Sequence, residues 1–282
     1  MLIGMHSYTY RGYSLERALM KARKYGYDFV ELQPVHFDLK NVESELERVD
    51  KLSQRFNISI PVVDYSCNVL IDDKERKRES IEFVKRVIRA ASKFGTKIIN
   101  GGVGSLIGPD SRDFGANGSA MAEERHYEMA AEAFSEISKV AEEEGITVTF
   151  EIHMNSLHDT AASTLRLLDM IGSPAVKANP DPGNMYATPH AEDGVDAIRL
   201  LQSQIGYFHF KNCRAIGGHY DYSWYLQNGD IDYFPIVLEL SRIGFPELMT
   251  IEYCGLGDPS VAAERDILYI QNLIDEVEEL VP

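Results

Sequence analysis

The run Glu142-Glu-Glu-Gly-Ile-Thr-Val-Thr-Phe-Glu151 decides how the rest of the chain is read. A charged helical stretch stops at Gly145, an apolar strand starts at the next residue, and that strand ends on a carboxylate. Glycine closes a helix because it takes the left-handed backbone conformation without a Cβ penalty. The same unit recurs in both directions. Lys21-Ala-Arg-Lys-Tyr-Gly26 leads into Tyr27-Asp-Phe-Val-Glu-Leu32, and Ala90-Ala-Ser-Lys-Phe-Gly95 leads into Lys97-Ile-Ile-Asn100. Ser241-Arg-Ile-Gly244 leads into Leu248-Met-Thr-Ile-Glu252. Helices alternating with short apolar strands make βαβ units and a parallel sheet.

Counted this way, the chain offers strands at Leu2–Met5, Phe29–Leu32, Ile58–Asp64, Lys97–Asn100, Thr147–Ile152, Val176–Asn179, Tyr207–Phe210 and Met249–Glu252. Ser14, Asn41, Asp73 and Thr160 stand where helix caps are wanted. A length of 282 residues suits one (β/α)₈ TIM barrel, a single domain over 1–282. A doubly wound open sheet is the alternative. Such a sheet usually opens with a glycine-rich phosphate loop, whereas here the first strand runs into His6-Ser-Tyr-Thr-Tyr10.

The formal net charge of −16 repels phosphate backbones, which argues against nucleic acid as a partner. No apolar run is long enough to span a membrane. Cys67, Cys213 and Cys254 lie far apart and form no CxxC pair. Met1 to Tyr10 lacks a basic region followed by an apolar run, so no signal peptide is expected and a reducing cytoplasm fits best.

Barrel enzymes carry their chemistry at the C-terminal ends of the strands. Glu151 closes the fifth strand, Asp181 follows the sixth, His209 lies in the seventh and Glu252 closes the eighth. Three carboxylates and an imidazole converging on one mouth repel one another unless a cation sits among them. That ligand set suits one divalent ion, Mn²⁺, Mg²⁺, Co²⁺ or Zn²⁺. His153 and Lys211 follow Glu151 and His209 by two residues, the spacing that shares a strand face, and are expected to meet substrate oxygens. His6 and Glu31 end the first two strands and are expected at the mouth. Arg214, just beyond the seventh strand, is a further substrate-binding candidate. Tyr222, Trp224, Tyr225 and His219 lie in the long segment from Asn212 to Asp232. That segment is read as a substrate cover or an oligomer contact, which leaves a homo-oligomer open. His36, His126, His158 and His190 are read as surface or capping residues.

The motifs Thr149-Phe-Glu-Ile-His153, Asn179-Pro-Asp-Pro-Gly-Asn184, Phe208-His-Phe-Lys-Asn212 and Thr250-Ile-Glu-Tyr253 resemble the xylose isomerase-like TIM barrel superfamily, as does Gly229-Asp-Ile-Asp232. That group includes sugar isomerases and epimerases, hydroxypyruvate isomerases, inosose dehydratases and endonuclease IV. The resemblance implies that Glu151, Asp181, His209 and Glu252 bind the metal, and that Glu151 and Glu252 double as acid and base. Epimerases and dehydratases of the group often carry His three residues after the sixth-strand Asp. Here that position is Asn184, which can hydrogen-bond a hydroxyl but is no base near neutral pH. Endonuclease IV needs further His ligands for its zinc cluster, and the sequence places none of them.

These readings converge on isomerisation or epimerisation of a small polyhydroxy carbonyl compound, such as a keto sugar. The metal would chelate two adjacent oxygens and stabilise an enediolate, with one glutamate removing a proton and the other returning it. The same enediolate can expel a β-hydroxyl, so a dehydratase acting on an inosose or a dehydroshikimate-like ring is the rival. A catalytically silent sugar-binding barrel is the third reading. The loop Gly255-Leu-Gly-Asp258 has no Lys or Arg where barrels often hold phosphate, which points to an unphosphorylated substrate.

Overall fold

A computed structural model describes residues 1–245 and 248–281. Pro246, Glu247 and Pro282 of the expected 1–282 domain lie outside the described residues. The chain forms a single (β/α)₈ barrel. Its eight parallel strands are β1 (Leu2–His6), β2 (Phe29–Leu32), β3 (Ser59–Asp64), β4 (Ile98–Gly101), β5 (Thr147–Glu151), β6 (Val176–Asn179), β7 (Phe208–Phe210) and β10 (Leu248–Ile251). Hydrogen bonding runs β6-β5-β4-β3-β2-β1-β10-β7. The ring closes between β6 and β7 through a bridge at Ala178 and Ile205. There the amides of Gly206 and Tyr207 donate to the Ala178 carbonyl and that of His209 to Pro180. The helices are α1 (Leu15–Tyr25), α2 (Val42–Phe56), α3 (Lys74–Ser92), α4 (Glu124–Glu144), α5 (Ala161–Ile171), α6 (Pro182–Ala187), α7 (Gly194–Leu201), α8 (Phe234–Arg242) and α9 (Pro259–Leu280). No helix among the described residues is long and apolar enough to cross a membrane.

The glycines that punctuated the sequence do what their chemistry allows. Gly26, Gly95, Gly145 and Gly244 have φ of 86°, 79°, 65° and 68°, the left-handed region beyond each helix end. Ser14, Asp73 and Thr160 accept hydrogen bonds from the first-turn amides of α1, α3 and α5. Asn41 makes no such bond; its amide donates to Asp38 Oδ2 instead, at 2.8 Å.

Alternation along the strands sorts the side chains into two populations. Ile3, Met5, Val30, Leu32, Val63, Ile99, Val148, Phe150, Phe208, Phe210, Met249 and Ile251 pack in the large core that includes the helices' buried faces. The positions between them face the barrel axis and change character with height. Phe29, Val62, Ile98 and Tyr207 form an apolar plug. Gly4 leaves room for it, since a Cβ there would lie 2.2 Å from the Phe29 ring. Two residues further along each strand the interior turns polar, with Glu31, Asp64, Asn100, Thr149, Asn179, His209 and Thr250 buried. Two residues further again stand Glu151, Asp181, Lys211 and Glu252. The barrel interior is therefore layered, apolar below and charged at the mouth.

The segment from Asn212 to Asp232, expected as a loop, contains an antiparallel hairpin of β8 (Arg214–Ile216) and β9 (His219–Asp221). Its turn residues Gly217 and Gly218 have φ of 58° and 81°, the backbone that suits the twist of a two-residue hairpin. Asn212 ties the base of the segment, donating to the carbonyls of Leu226 and Ile231 and accepting from the Ile231 amide.

Candidate metal centre

Glu151 ends β5, Asp181 caps α6 directly after β6, His209 is the middle residue of β7 and Glu252 follows β10. Each offers one ligand atom, and these atoms all lie within 4.8 Å of one another. One of them, His209 Nδ1, is buried without a hydrogen-bond partner, and Asp181 Oδ2 is met by the Lys211 ammonium at 2.9 Å. Buried polar atoms are almost always paired, so a bare imidazole nitrogen 3.7 Å from the Asp181 carboxylate needs an explanation. A divalent cation supplies one, because carboxylate oxygens with a single imidazole suit such ions. The residues present fit the metal that the sequence implied.

His209 is fixed from behind. Its Nε2 lies 3.2 and 3.0 Å from the two oxygens of Glu31, so Nε2 carries the hydrogen and Nδ1 is left with its lone pair toward the cluster. Burial alone would keep this imidazole neutral, but the surrounding carboxylates outweigh burial and hold its affinity for a second proton well above the usual histidine range. That proton and a metal ion compete for the same lone pair.

Lys211 stands across the cluster, 4% exposed. Its Nζ lies 2.9 Å from Asp181 Oδ2, contacts Glu252 Oε2, and donates to Asn184 Oδ1 at 3.1 Å. Burial would push the Glu151 and Glu252 carboxyls up. His209 and Lys211 beside Glu151, and Lys211 and His6 beside Glu252, hold both below the ordinary carboxylate range. Both are therefore ionised and able to accept protons.

The other expected site residues are placed unevenly. His153 lines a cavity of about 370 Å³ above the cluster together with His6, Lys211 and Tyr222. It lies beyond the end of β5 rather than in it, with Nδ1 on the Met154 carbonyl at 2.9 Å. Asn184 is buried and committed at both ends of its amide, donating to Glu151 Oε1 at 2.8 Å and accepting from Lys211. It also lines the cavity. Arg214 is not brought to the cluster. Its guanidinium stacks 4.1 Å from the Trp224 ring and donates to the Asn228 carbonyl. Glu31, expected at the mouth, is 0% exposed and lies one layer below it. His158, expected at the surface or in a cap, is buried against Phe150 with ring centroids 5.2 Å apart. Burial lowers its pKa to about 4, so it stays neutral. His126 does cap α4, accepting from the Glu123 amide.

A second trio, His6, Glu31 and Asp64, also converges. There the groups find partners, His6 Nδ1 excepted. His6 Nε2 pairs with Asp64 Oδ2 at 2.9 Å, and Glu31 accepts from Tyr207 and Asn100 as well as from His209. Sequence reasoning missed Tyr207, Asn100, Thr149 and Asn179, the neutral members of this network. Their signal was the two-residue spacing to the charged positions.

The model of the family described as "Xylose isomerase-like TIM barrel" matches residues 19–273. The chain belongs to that family. Among solved structures, it superposes on an L-ribulose 3-epimerase with a TM-score of 0.81 at 20% identity, covering 99% of this chain and 96% of the other. It superposes on a xylose isomerase-like TIM barrel protein from Mycobacterium smegmatis in complex with magnesium with a TM-score of 0.77 at 19% identity, covering 98% and 97%. At these identities the likeness is one of fold. A 3-dehydroshikimate dehydratase from Bacillus anthracis is 31% identical over 98 residues, 35% of this chain. That match spans 34% of the dehydratase's own length.

Proposed function

We propose that this protein is a metal-dependent isomerase or epimerase of a small, unphosphorylated polyhydroxy carbonyl compound. One observation carries the reading: four ligand-type atoms from or just beyond four neighbouring strands gather within 4.8 Å at the floor of a cavity, and His209 Nδ1 among them has no hydrogen-bond partner. A divalent ion held by Glu151, Asp181, His209 and Glu252 supplies Lewis acidity toward a substrate carbonyl. Glu151 and Glu252 flank Asp181 and His209 in barrel order, so they reach a bound substrate from two sides. One takes the proton from carbon and the other returns it. Asn184 holds the Glu151 carboxylate by its amide; His209 and Lys211 favour the ionised form of Glu151, and Lys211 and His6 that of Glu252. His153 and His6 line the cavity where substrate oxygens would lie, and the Lys211 ammonium reaches them by giving up one of its present contacts to Asp181, Glu252 and Asn184.

The absence of phosphate from the substrate rests on α9. Its first turn follows Gly255-Leu-Gly-Asp258, and the Asp258 carboxylate already accepts from the Ser260 amide. An anion at a helix start needs those amides free. The 98-residue match to a dehydratase supports a second reading, loss of water from a ring substrate.

Incubating the protein with Mn²⁺ in D₂O and a panel of keto sugars, inososes and dehydroshikimate separates these readings. Isomerisation conserves substrate mass apart from one solvent deuterium, and dehydration removes a water. Metal uptake without turnover of any panel member would leave a silent barrel.

A further inference from the structure

We infer that Glu31, which never meets the cavity, governs how tightly the centre holds its ion by acting through His209. The inference rests on the metal reading above. Burying a carboxylate is costly unless donors surround it, and Glu31 is 0% exposed. Three donors meet it: His209 Nε2, the Tyr207 hydroxyl at 2.8 Å and Asn100 Nδ2 at 3.1 Å. The Asn100 amide has no freedom to turn, because its Oδ1 accepts from Thr149 Oγ1 at 2.9 Å and from Asn179 Nδ2 at 3.0 Å. His6 Nε2, at 3.9 Å, is too far to bond and pairs with Asp64 instead.

Packing alone does not call for this arrangement, since an apolar side chain would fill the layer without the burial cost. What the carboxylate adds is specific to His209. A carboxylate only accepts, so the imidazole hydrogen must sit on Nε2. The lone pair then sits on Nδ1, which lies 3.7 Å from Asp181 and 3.8 Å from Glu151. A fixed negative charge behind the ring also makes Nδ1 a stronger donor to a cation. Glu31 is thus a positioning residue on β2 for a ligand on β7.

Replacing Glu31 by Gln keeps the shape and removes the charge. The new amide oxygen accepts from His209 while its NH₂ faces Tyr207, whose hydroxyl can turn to donate to Thr250. Calorimetric titration of the metal-free protein with Mn²⁺ is expected to show E31Q binding roughly 10- to 100-fold more weakly than wild type. Glu31→Asp, which keeps the charge, recovers part of the loss. Thermal unfolding of metal-free E31Q stays close to wild type, which a merely structural role for Glu31 would not allow. Wild-type affinity in a folded E31Q overturns the inference. Nitrogen NMR of the unaltered protein loaded with Zn²⁺ tests it without any variant: the hydrogen belongs on Nε2 of His209, and finding it on Nδ1 overturns the inference as well. A wild-type protein that takes up no metal overturns the metal reading too, whereas uptake unaffected by E31Q removes the role of Glu31 alone.

Discussion

The two halves of the barrel carry similar residues and use them in opposite ways. On β1, β2 and β3, His6 pairs with Asp64, and Glu31 accepts from Asn100 and Tyr207. At the ends of β5, β6, β7 and β10, Glu151, Asp181, His209 and Glu252 meet around the Lys211 ammonium and leave His209 Nδ1 unpaired. Residue type does not separate a ligand cluster from a structural network. What separates them is whether the lone pairs are already used. His6 sits on the boundary, with Nε2 bound to Asp64 and Nδ1 unpartnered, 3.4 Å from Glu252.

Four measurements test that contrast. The largest effect is expected from Glu151→Gln or Glu252→Gln, which keep an oxygen but lose the base. Turnover should fall by at least ~10²-fold. Near-normal rates in either variant would remove the proton-transfer roles while leaving the metal site standing. His209→Ala takes one ligand of four and should strip the divalent ion from the protein, with the barrel still folded. Full metal occupancy by elemental analysis would break the ligand assignment.

On the satisfied half, Asn100→Ala should act on stability. It leaves Glu31, Thr149 and Asn179 short of partners at a cost of roughly 1–3 kcal/mol for each buried group left bare. Urea unfolding of the metal-free protein is the check, and an unchanged midpoint would show that the network is not structural. The smallest effect belongs to Asp266 on α9, whose carboxyl accepts from the Leu226 amide. Burial raises its pKa to about 7 from 3.8. The folded protein therefore binds this proton more tightly than the unfolded chain, and the contribution to stability is lost as pH rises from about 4 to about 7. Asp266→Asn should gain on wild type across that window, and a constant stability difference would disprove the shift.

The barrel was legible because Gly26, Gly95, Gly145 and Gly244 mark helix ends in the sequence itself. The four ligand positions were legible because each follows an apolar strand. Height within the barrel was not. Glu31 lies near the end of its strand, as Glu151 ends its own, yet strand stagger sets it a layer lower, beside His209. Tyr207-Phe-His-Phe-Lys211 alternates visibly, and only the closed ring shows that Tyr207, His209 and Lys211 face inward together. Arg214 is close to Lys211 in sequence, but β7 ends at Phe210 and the chain leaves the barrel before reaching it. The Gly217-Gly218 pair was a hairpin signal between Arg214-Ala-Ile216 and His219-Tyr-Asp221. Reading the segment by its length alone hid it.

The place where the ring closes has a mechanical consequence. Every other pair of neighbouring strands is zipped by a register of several residues, whereas β6 and β7 are joined at Ala178 and Ile205 and by the amides of Gly206, Tyr207 and His209. This is the seam of the barrel, and Asp181 and His209 stand on its two edges. An ion gripped by both acts as a clasp across it. Amide hydrogens of Tyr207 and His209 should then exchange with solvent more slowly in Mn²⁺-loaded protein than after chelation, while those of β3 and β4 stay as they were. Equal exchange in both states would mean that the wall holds without its clasp.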